Sequence, residues 1–319
     1  MQQNLEKAML FLAPMAGVAD LPFRRICREF GADYTVAEMV AANPALWSTA
    51  KSEARRDHDT SAGPKIVQIA GADPKWMAEA AQRHEQCGAD IIDINMGCPV
   101  KKVCGTLAGS ALLRDEKRLH EILHAVVQAV SIPVTLKIRT GWDTSNKNAL
   151  RIAQIAEDCG IHWLTIHGRT RQCGYQGSAE YDTIAEVKQR CTFPVIANGD
   201  IDSVEKAHFV LNYTSADGIM IGRAAQGNPW IFREIKAYFS SGKRPDKPSA
   251  QEQQETILNH LKNLYDFYGE SLGLRIARKH IRWYIRNLPG SPTFWKKINR
   301  IDNNYTQYDM VSAFFTQLN

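Results

Sequence analysis

Along the first 240 or so residues, short apolar runs alternate with stretches whose apolar positions recur every three to four residues. Met9–Ala13, Tyr34–Met39, Lys65–Ala70, Ile91–Met96, Val134–Ile138, Trp163–His167, Val195–Asn198 and Gly218–Ile221 read as eight strands. Most precede a helical pattern, as at Pro74–Cys87 and Asn146–Cys159. Eight strand–helix units over about 230 to 250 residues predict an α/β chain folded as a (β/α)8 TIM barrel. An open doubly wound sheet competes, but neither GxGxxG after the first strand nor GxxxxGK[ST] occurs. Glycine and polar residues gather instead just after the strands, at Pro14–Gly17, Gly97–Pro99, Arg139–Trp142, His167–Thr170, Asn198–Asp200 and Gly222–Arg223. A barrel places its chemistry at that end of its strands.

The rhythm breaks at Ser240–Ser249, SSGKRPDKPS, which suits neither strand nor helix and reads as a linker. Beyond it only helical periodicity remains. Residues 1–242 are therefore expected to form the barrel and residues 243–319 an all-helical C-terminal domain. Between Leu274 and Leu288, Ala277, Ile281, Tyr284 and Leu288 share one helix face, and Arg275, Arg278, Lys279, Arg282 and Arg286 are expected to point outward from the other.

Charge sharpens this division. Residues 243–319 carry 12 Lys or Arg against 7 Asp or Glu, while residues 1–242 carry 27 of each. A neutral body with a basic helical appendage suits a large anionic partner, although a solvated surface explains the charge equally well. The apolar run Ala8–Ala13 is shorter than the roughly 7 to 15 residues of a signal core, and no run approaches the roughly 18 that span a bilayer. A cytoplasmic protein with no membrane segment is expected. Seven scattered cysteines form no CxxC pair, which predicts reduced thiols and no metal site.

Among those thiols Cys98 stands out, because Asn95-Met96-Gly97-Cys98-Pro99 sets it in a tight turn at the end of the fourth strand. Lys137 and Arg139 lie two apart on the fifth strand and so face the same side. Buried cations without partners cost several kcal/mol, about enough to imply internal carboxylates or a bound anionic or electron-rich ligand. His167 ends the sixth strand, where a satisfied core histidine is the plainer alternative. Asn198-Gly199-Asp200 and Gly222-Arg223 follow the seventh and eighth strands, where barrels commonly hold a phosphate. With Gln68 and Asn95 placed to hydrogen-bond a planar ring, the set suggests FMN.

In these stretches the chain resembles the tRNA-dihydrouridine synthase family, and within it the bacterial B type. The resemblance rests on APMAGVADLPFR from Ala13, VQIAG from Val67, DINMGCPVKK from Asp93, GSALL from Gly109, TLKIRTGW from Thr135, TIHGRTR from Thr165, VIANGDI from Val195, MIGRAAQGNPWIF from Met220 and IARKHIRWY from Ile276. It implies an FMN flavoprotein oxidoreductase of tRNA processing. Pro14, Met15 and Ala16 would line the flavin, and Gln68 and Lys137 would contact its ring. Asn198, Gly199, Asp200, Gly222 and Arg223 would hold its phosphate. NADPH is the implied reductant, tRNA the implied partner and substrate, and a D-loop uridine, position 17, the implied target. A partner of that size makes a monomer the default.

Reduction of the uracil C5–C6 bond would then place hydride from flavin N5 on C6 and a proton from Cys98 on C5. His167 and Arg139 would orient the base or stabilise its enolate. Two other readings remain open. One is an FMN barrel acting on a free pyrimidine, as dihydroorotate dehydrogenases do; the other is a noncatalytic RNA-binding protein.

Overall fold

The computed structural model describes residues 5–47 and 63–318. All strand pairings are parallel, in the order β1 (Met9–Leu12), β9 (Gly218–Ile221), β8 (Val195–Asn198), β7 (Leu164–His167), β6 (Val134–Arg139), β5 (Ile91–Met96) and β4 (Ile66–Ala70). The strand predicted at Tyr34–Met39 is divided. Its first part, β2 (Tyr34–Thr35), pairs with β1, whereas β3 (Val40–Ala41) pairs with β4. Between them Val36 donates its N–H to Leu12 O and forms a bridge to Ile66, so this one segment joins β1 to β4 and closes the barrel. Glu38 leaves the ladder to accept the Gly17 N–H.

Helices α1 (Leu21–Glu29), α2 (Pro74–Gln86), α3 (Lys101–Cys104), α4 (Glu116–Ala129), α5 (Ala149–Asp158), α6 (Asp182–Arg190), α7 (Val204–Thr214) and α8 (Ile231–Ser241) follow or interrupt the strands. Their starts follow local capping chemistry. Asp73 ahead of Pro74 accepts the Trp76 N–H, and Ser203 caps α7 in the same way. Helix α5 begins three residues later than its apolar pattern predicts, because Asp143 captures the N–H groups of Ser145 and Asn146 in a turn.

Side-chain alternation explains the barrel's interior. Outward positions such as Ile69, Ile92, Ile94, Leu136, Ile166 and Ala197 join the core beneath the helices. Inward positions change character along each strand. Phe11, Ile66, Ile91, Trp163 and Ile196 fill the lower interior with apolar bulk. One or two inward steps further along come Gln68, Asp93, Asn95, Thr135, Lys137, Thr165, His167 and Asn198. A single period-2 pattern thus seals one end of the barrel and equips the other.

Helix α8 ends at Ser241 and Gly242 adopts φ 68°, so the predicted linker begins two residues inside a helix. Ser249 then caps α9 (Ala250–Tyr268), followed by α10 (Glu270–Ile285), α11 (Ser291–Ile298) and α12 (Asn304–Thr316). Ile257, Leu261, Ala277, Ile281, Ile298, Val311 and Phe315 form a second apolar cluster. Against the barrel, Phe23 of α1 stacks on His260 and lies 5.6 Å from the ring of His280. No helix among the described residues is long and apolar enough to cross a membrane.

Candidate active site

A cavity of about 780 Å³ opens at the C-terminal ends of the strands, a size suited to a cofactor or small ligand. Its walls include Pro14, Met15, Ala16, Gln68, Asn95, Cys98, Lys137, Arg139, His167, Asn198, Gly199, Asp200, Gly222 and Arg223. Of the five cations expected on the helical stripe, only Arg286 reaches it. A more open hollow of about 870 Å³ lies near Met9 and Tyr34, at the strands' other ends, away from these groups.

The Cys98 turn is fixed from beneath by a chain of inward side chains. Thr135 Oγ1 donates to Asp93 Oδ1 at 2.7 Å, and Gln68 Nε2 donates to Asp93 Oδ2 at 2.6 Å. Asn95 Nδ2 donates to Gln68 Oε1, while Asn95 Oδ1 accepts the N–H groups of Gly97 and Cys98 at 3.2 and 3.0 Å. Ser110 completes the support, its N–H and hydroxyl both donating to Cys98 O. Asn95, expected to hydrogen-bond a planar ring, therefore spends much of its amide holding the turn. Burial pushes the Asp93 carboxyl up and also raises the Cys98 thiol, with the neighbouring Cys104 acting in the same direction. Cys98 thus stays protonated at neutral pH.

Lys137 donates to Asn198 Oδ1 at 3.0 Å, and Asn198 Nδ2 donates to Met220 O. Burial and then Arg139 lower the lysine to about 8, against the opposing pull of Asp93. Arg139 is itself buried and donates to the carbonyls of Gly97, Thr170 and Gly174, tying the loop after β5 to the loop after β7. Above it lies the ring of Tyr175, 5.8 Å from the Arg139 guanidinium carbon and 4.7 Å from that of Arg223. Burial, reinforced by Lys137, Arg139, Arg169 and Arg223, lowers His167 to about 2 and keeps its imidazole neutral.

Asp200 lines the cavity, but its carboxylate is occupied. Arg169 grips it with bonds of 2.8 and 2.6 Å, Arg223 approaches at 3.2 Å, and the Ala179 N–H donates to it. Burial would raise this carboxyl, yet the bonds from Arg169 and Ala179 together with the charge of Arg223 bring it below its ordinary value. A carboxylate repels phosphate, and here Asp200 binds Arg169 and Arg223 together. Gly199, at φ 125°, has its carbonyl fixed by the Tyr181 hydroxyl.

These residues fit a flavin mononucleotide on three counts. A Cβ added at Gly222 would meet no protein atom closer than 3.7 Å, leaving space beside the half-exposed Arg223 guanidinium for a phosphate. Among the described residues, His167 Nδ1 is the one buried side-chain polar atom lining the cavity that finds no hydrogen-bond partner. Gln68 retains one N–H for a ring.

The cationic stripe is less uniform than its spacing predicts. Arg275 and Arg282 are exposed, the latter lying over the Trp295 ring. Arg278 turns inward to donate to Ile301 O, and Lys279 donates to Gly17 O of the barrel. A helix shows its polar face to solvent only where nothing packs over it, and here the β1 loop and the α11–α12 connection do. Asp93 occupies an inward position that strand alternation could have flagged; Tyr175, in a loop, gives no such signal.

The profile of the family described as Dihydrouridine synthase (Dus) matches residues 11–319. The tRNA-dihydrouridine synthase B of Pseudomonas putida is 54% identical over 308 residues, 97% of this chain and 91% of the relative. That of Vibrio cholerae is 55% identical over 309 residues, covering 97% and 96%. Among solved structures, histamine dehydrogenase from Rhizobium sp. 4-9 superposes with a TM-score of 0.57 at 12% identity, over 97% of this chain and 62% of that one. A 2-naphthoyl-CoA reductase complex gives 0.56 at 11%, over 74% and 52%. These two share the fold alone, and this chain spans little more than half of each. Profile and relatives together place the chain in the dihydrouridine synthase family.

Proposed function

We propose that this protein is an FMN-dependent, NADPH-driven tRNA-dihydrouridine synthase that reduces the C5–C6 bond of a D-loop uridine, position 17. The observation that carries the reading is the Cys98 thiol standing in the same cavity as an open glycine–arginine anion cradle. Family membership and the name shared by the B-type relatives support the substrate. Residues 1–242 form the catalytic domain and residues 243–319 the tRNA-binding one, in a cytoplasmic monomer.

Asn198, Gly199, Gly222 and Arg223 hold the FMN phosphate, with Asp200 fixing the arginine; Pro14, Met15, Ala16, Gln68 and Lys137 border the ring. Bound FMN supplies the hydride that reaches uracil C6. Cys98 delivers a proton to C5, and its thiolate recovers a proton from water. Its raised pKa keeps the proton available without a separate acid. Arg139 stabilises the negative charge that develops on the uracil carbonyl during reduction, while Lys137 sets its positive charge beside the flavin ring. Neutral His167 orients the base by hydrogen bonding.

The test is anaerobic. The protein is reduced with NADPH, freed of excess, and mixed with tRNA lacking dihydrouridine while the oxidised flavin absorption is followed. Rapid return with that tRNA, and none with fully modified tRNA or free orotate, is the expected result. Return with orotate alone would replace the reading with a free-pyrimidine enzyme.

A further inference from the structure

Among the stripe cations, Lys279 has surroundings unlike those of a nucleic-acid contact. It is half-buried, its ammonium donates to Gly17 O, and the buried carboxyls of Asp20 and Glu38 lie close enough to act on its charge. The same short loop is held on its other side, where the Gly17 N–H donates to Glu38 Oε2 at 2.8 Å. Both peptide groups of Gly17 are thus bound to side chains from elsewhere in the chain. One turn on, Tyr268 of α9 donates to Asp20 Oδ2 at 3.2 Å. Gly17 takes φ 75° although an added Cβ would meet no atom within 4 Å, so the glycine serves the bend of the loop rather than its packing.

The loop so held runs directly from Pro14, Met15 and Ala16, which form one wall of the cavity. Val18 and Ala19 both donate to Met15 O, making residues 15–19 a single compact turn. A displacement of Gly17 is therefore passed to the wall.

We propose that Lys279, assisted by Tyr268, is a positioning residue that latches the β1 loop and so sets the cofactor wall, and that it is not a tRNA phosphate contact. The cofactor part rests on the function proposed above; the latch itself does not. Removing the ammonium leaves Gly17 O without that donor and takes a positive charge from beside Asp20 and Glu38, which loosens the turn. A phosphate-binding lysine would behave differently, because its loss lowers the salt dependence of tRNA binding by about one counterion.

Lys279→Met in the full chain separates these roles. Hydrogen exchange of the cofactor-free protein is read at the Val18 and Ala19 amides, and is expected to quicken at least tenfold relative to wild type. FMN affinity, followed by quenching of flavin fluorescence, is expected to weaken about tenfold, as for loss of one oriented wall. The slope of log tRNA affinity against log salt stays at the wild-type value. Tyr268→Phe, a milder change that keeps the lysine, moves exchange and FMN affinity in the same direction by a smaller factor. Unchanged exchange in both variants, or a salt slope lower by about one in Lys279→Met, overturns the latch. Should the wild-type chain bind no FMN, the proposed function falls while amide exchange still decides the latch.

Discussion

The mouth of the barrel and the exposed side of α10 both concentrate polar groups, but only at the mouth do those groups converge. Asp93, Gln68, Asn95 and the Cys98 turn form one bonded chain, and Arg139 spans two loops. On α10 and its end, five cations go separate ways: Arg275 and Arg282 outward, Arg278 to Ile301, Lys279 to Gly17 and Arg286 toward the cavity. A closed barrel has one interior, so every inward strand position must meet the others there. A helix has no such focus, and each side chain is assigned by whatever packs beside it.

The strongest way to break this contrast is at its focus. Cys98→Ala is expected to retain flavin and to slow single-turnover flavin reoxidation by tRNA about 10²- to 10⁴-fold, the usual span for loss of a positioned acid. A change below tenfold would mean that convergence at the mouth serves the fold instead. Next in size is Asp200→Ala. Arg169 is buried and its charge would lose its carboxylate, although the carbonyls of Gln176 and Gly177 still accept from it. Denaturant unfolding should show a loss of about 3 kcal/mol at unchanged m-value. FMN affinity should fall with it, as Arg223 loses its anchor.

Strand alternation and turn residues make the mouth legible in the sequence, because side chains two apart must share a face and the strand ends carry the loops. The division of the second strand was not legible: Tyr34–Met39 is continuous in pattern, and only the distant Gly17, bonded to Glu38, shows why it leaves the ladder. The partner of Asp200 was hidden for a similar reason, since Arg169 lies 31 residues away in sequence. On α10 the apolar face followed its spacing, with Ala277 and Ile281 fully buried. The cationic face did not, because spacing fixes direction around a helix axis but not the neighbour found there.

The two regions also differ in how they respond to acid. Beneath α10, His260 and His280 are fully buried with ring centroids 4.5 Å apart, and neither nitrogen of His280 has a hydrogen-bond partner among the described residues. Burial, with Lys279 adding to it, lowers His260 to about 3, and burial followed by the His260 charge lowers His280 well below its ordinary value. Above pH 6.5 neither the folded nor the unfolded chain gains a proton at these rings. Below it the unfolded chain takes up protons that the fold refuses, so stability should fall by about 1.4 kcal/mol per pH unit per histidine, for His260 down to about pH 3. His280→Phe should flatten the drop in urea midpoint between pH 6.5 and 5. An equally steep drop in that variant would assign the acid sensitivity elsewhere.

The smallest effects should separate the cations of α10 from one another. Arg275 and Arg282 are exposed, and Arg282 rests on Trp295, an arrangement that can steady the guanidinium while leaving edge donors free. Arg275→Met and Arg282→Met should each weaken tRNA binding a few-fold and lower the salt slope by about 0.7 to 0.9, with little effect on unfolding. Arg278→Met should do the reverse, because its guanidinium is tied to Ile301 O and half withdrawn from solvent: stability drops by about 1 kcal/mol and the salt slope holds. If all three variants moved the slope alike, the stripe would act as one face after all, and the contrast with the barrel mouth would be one of degree.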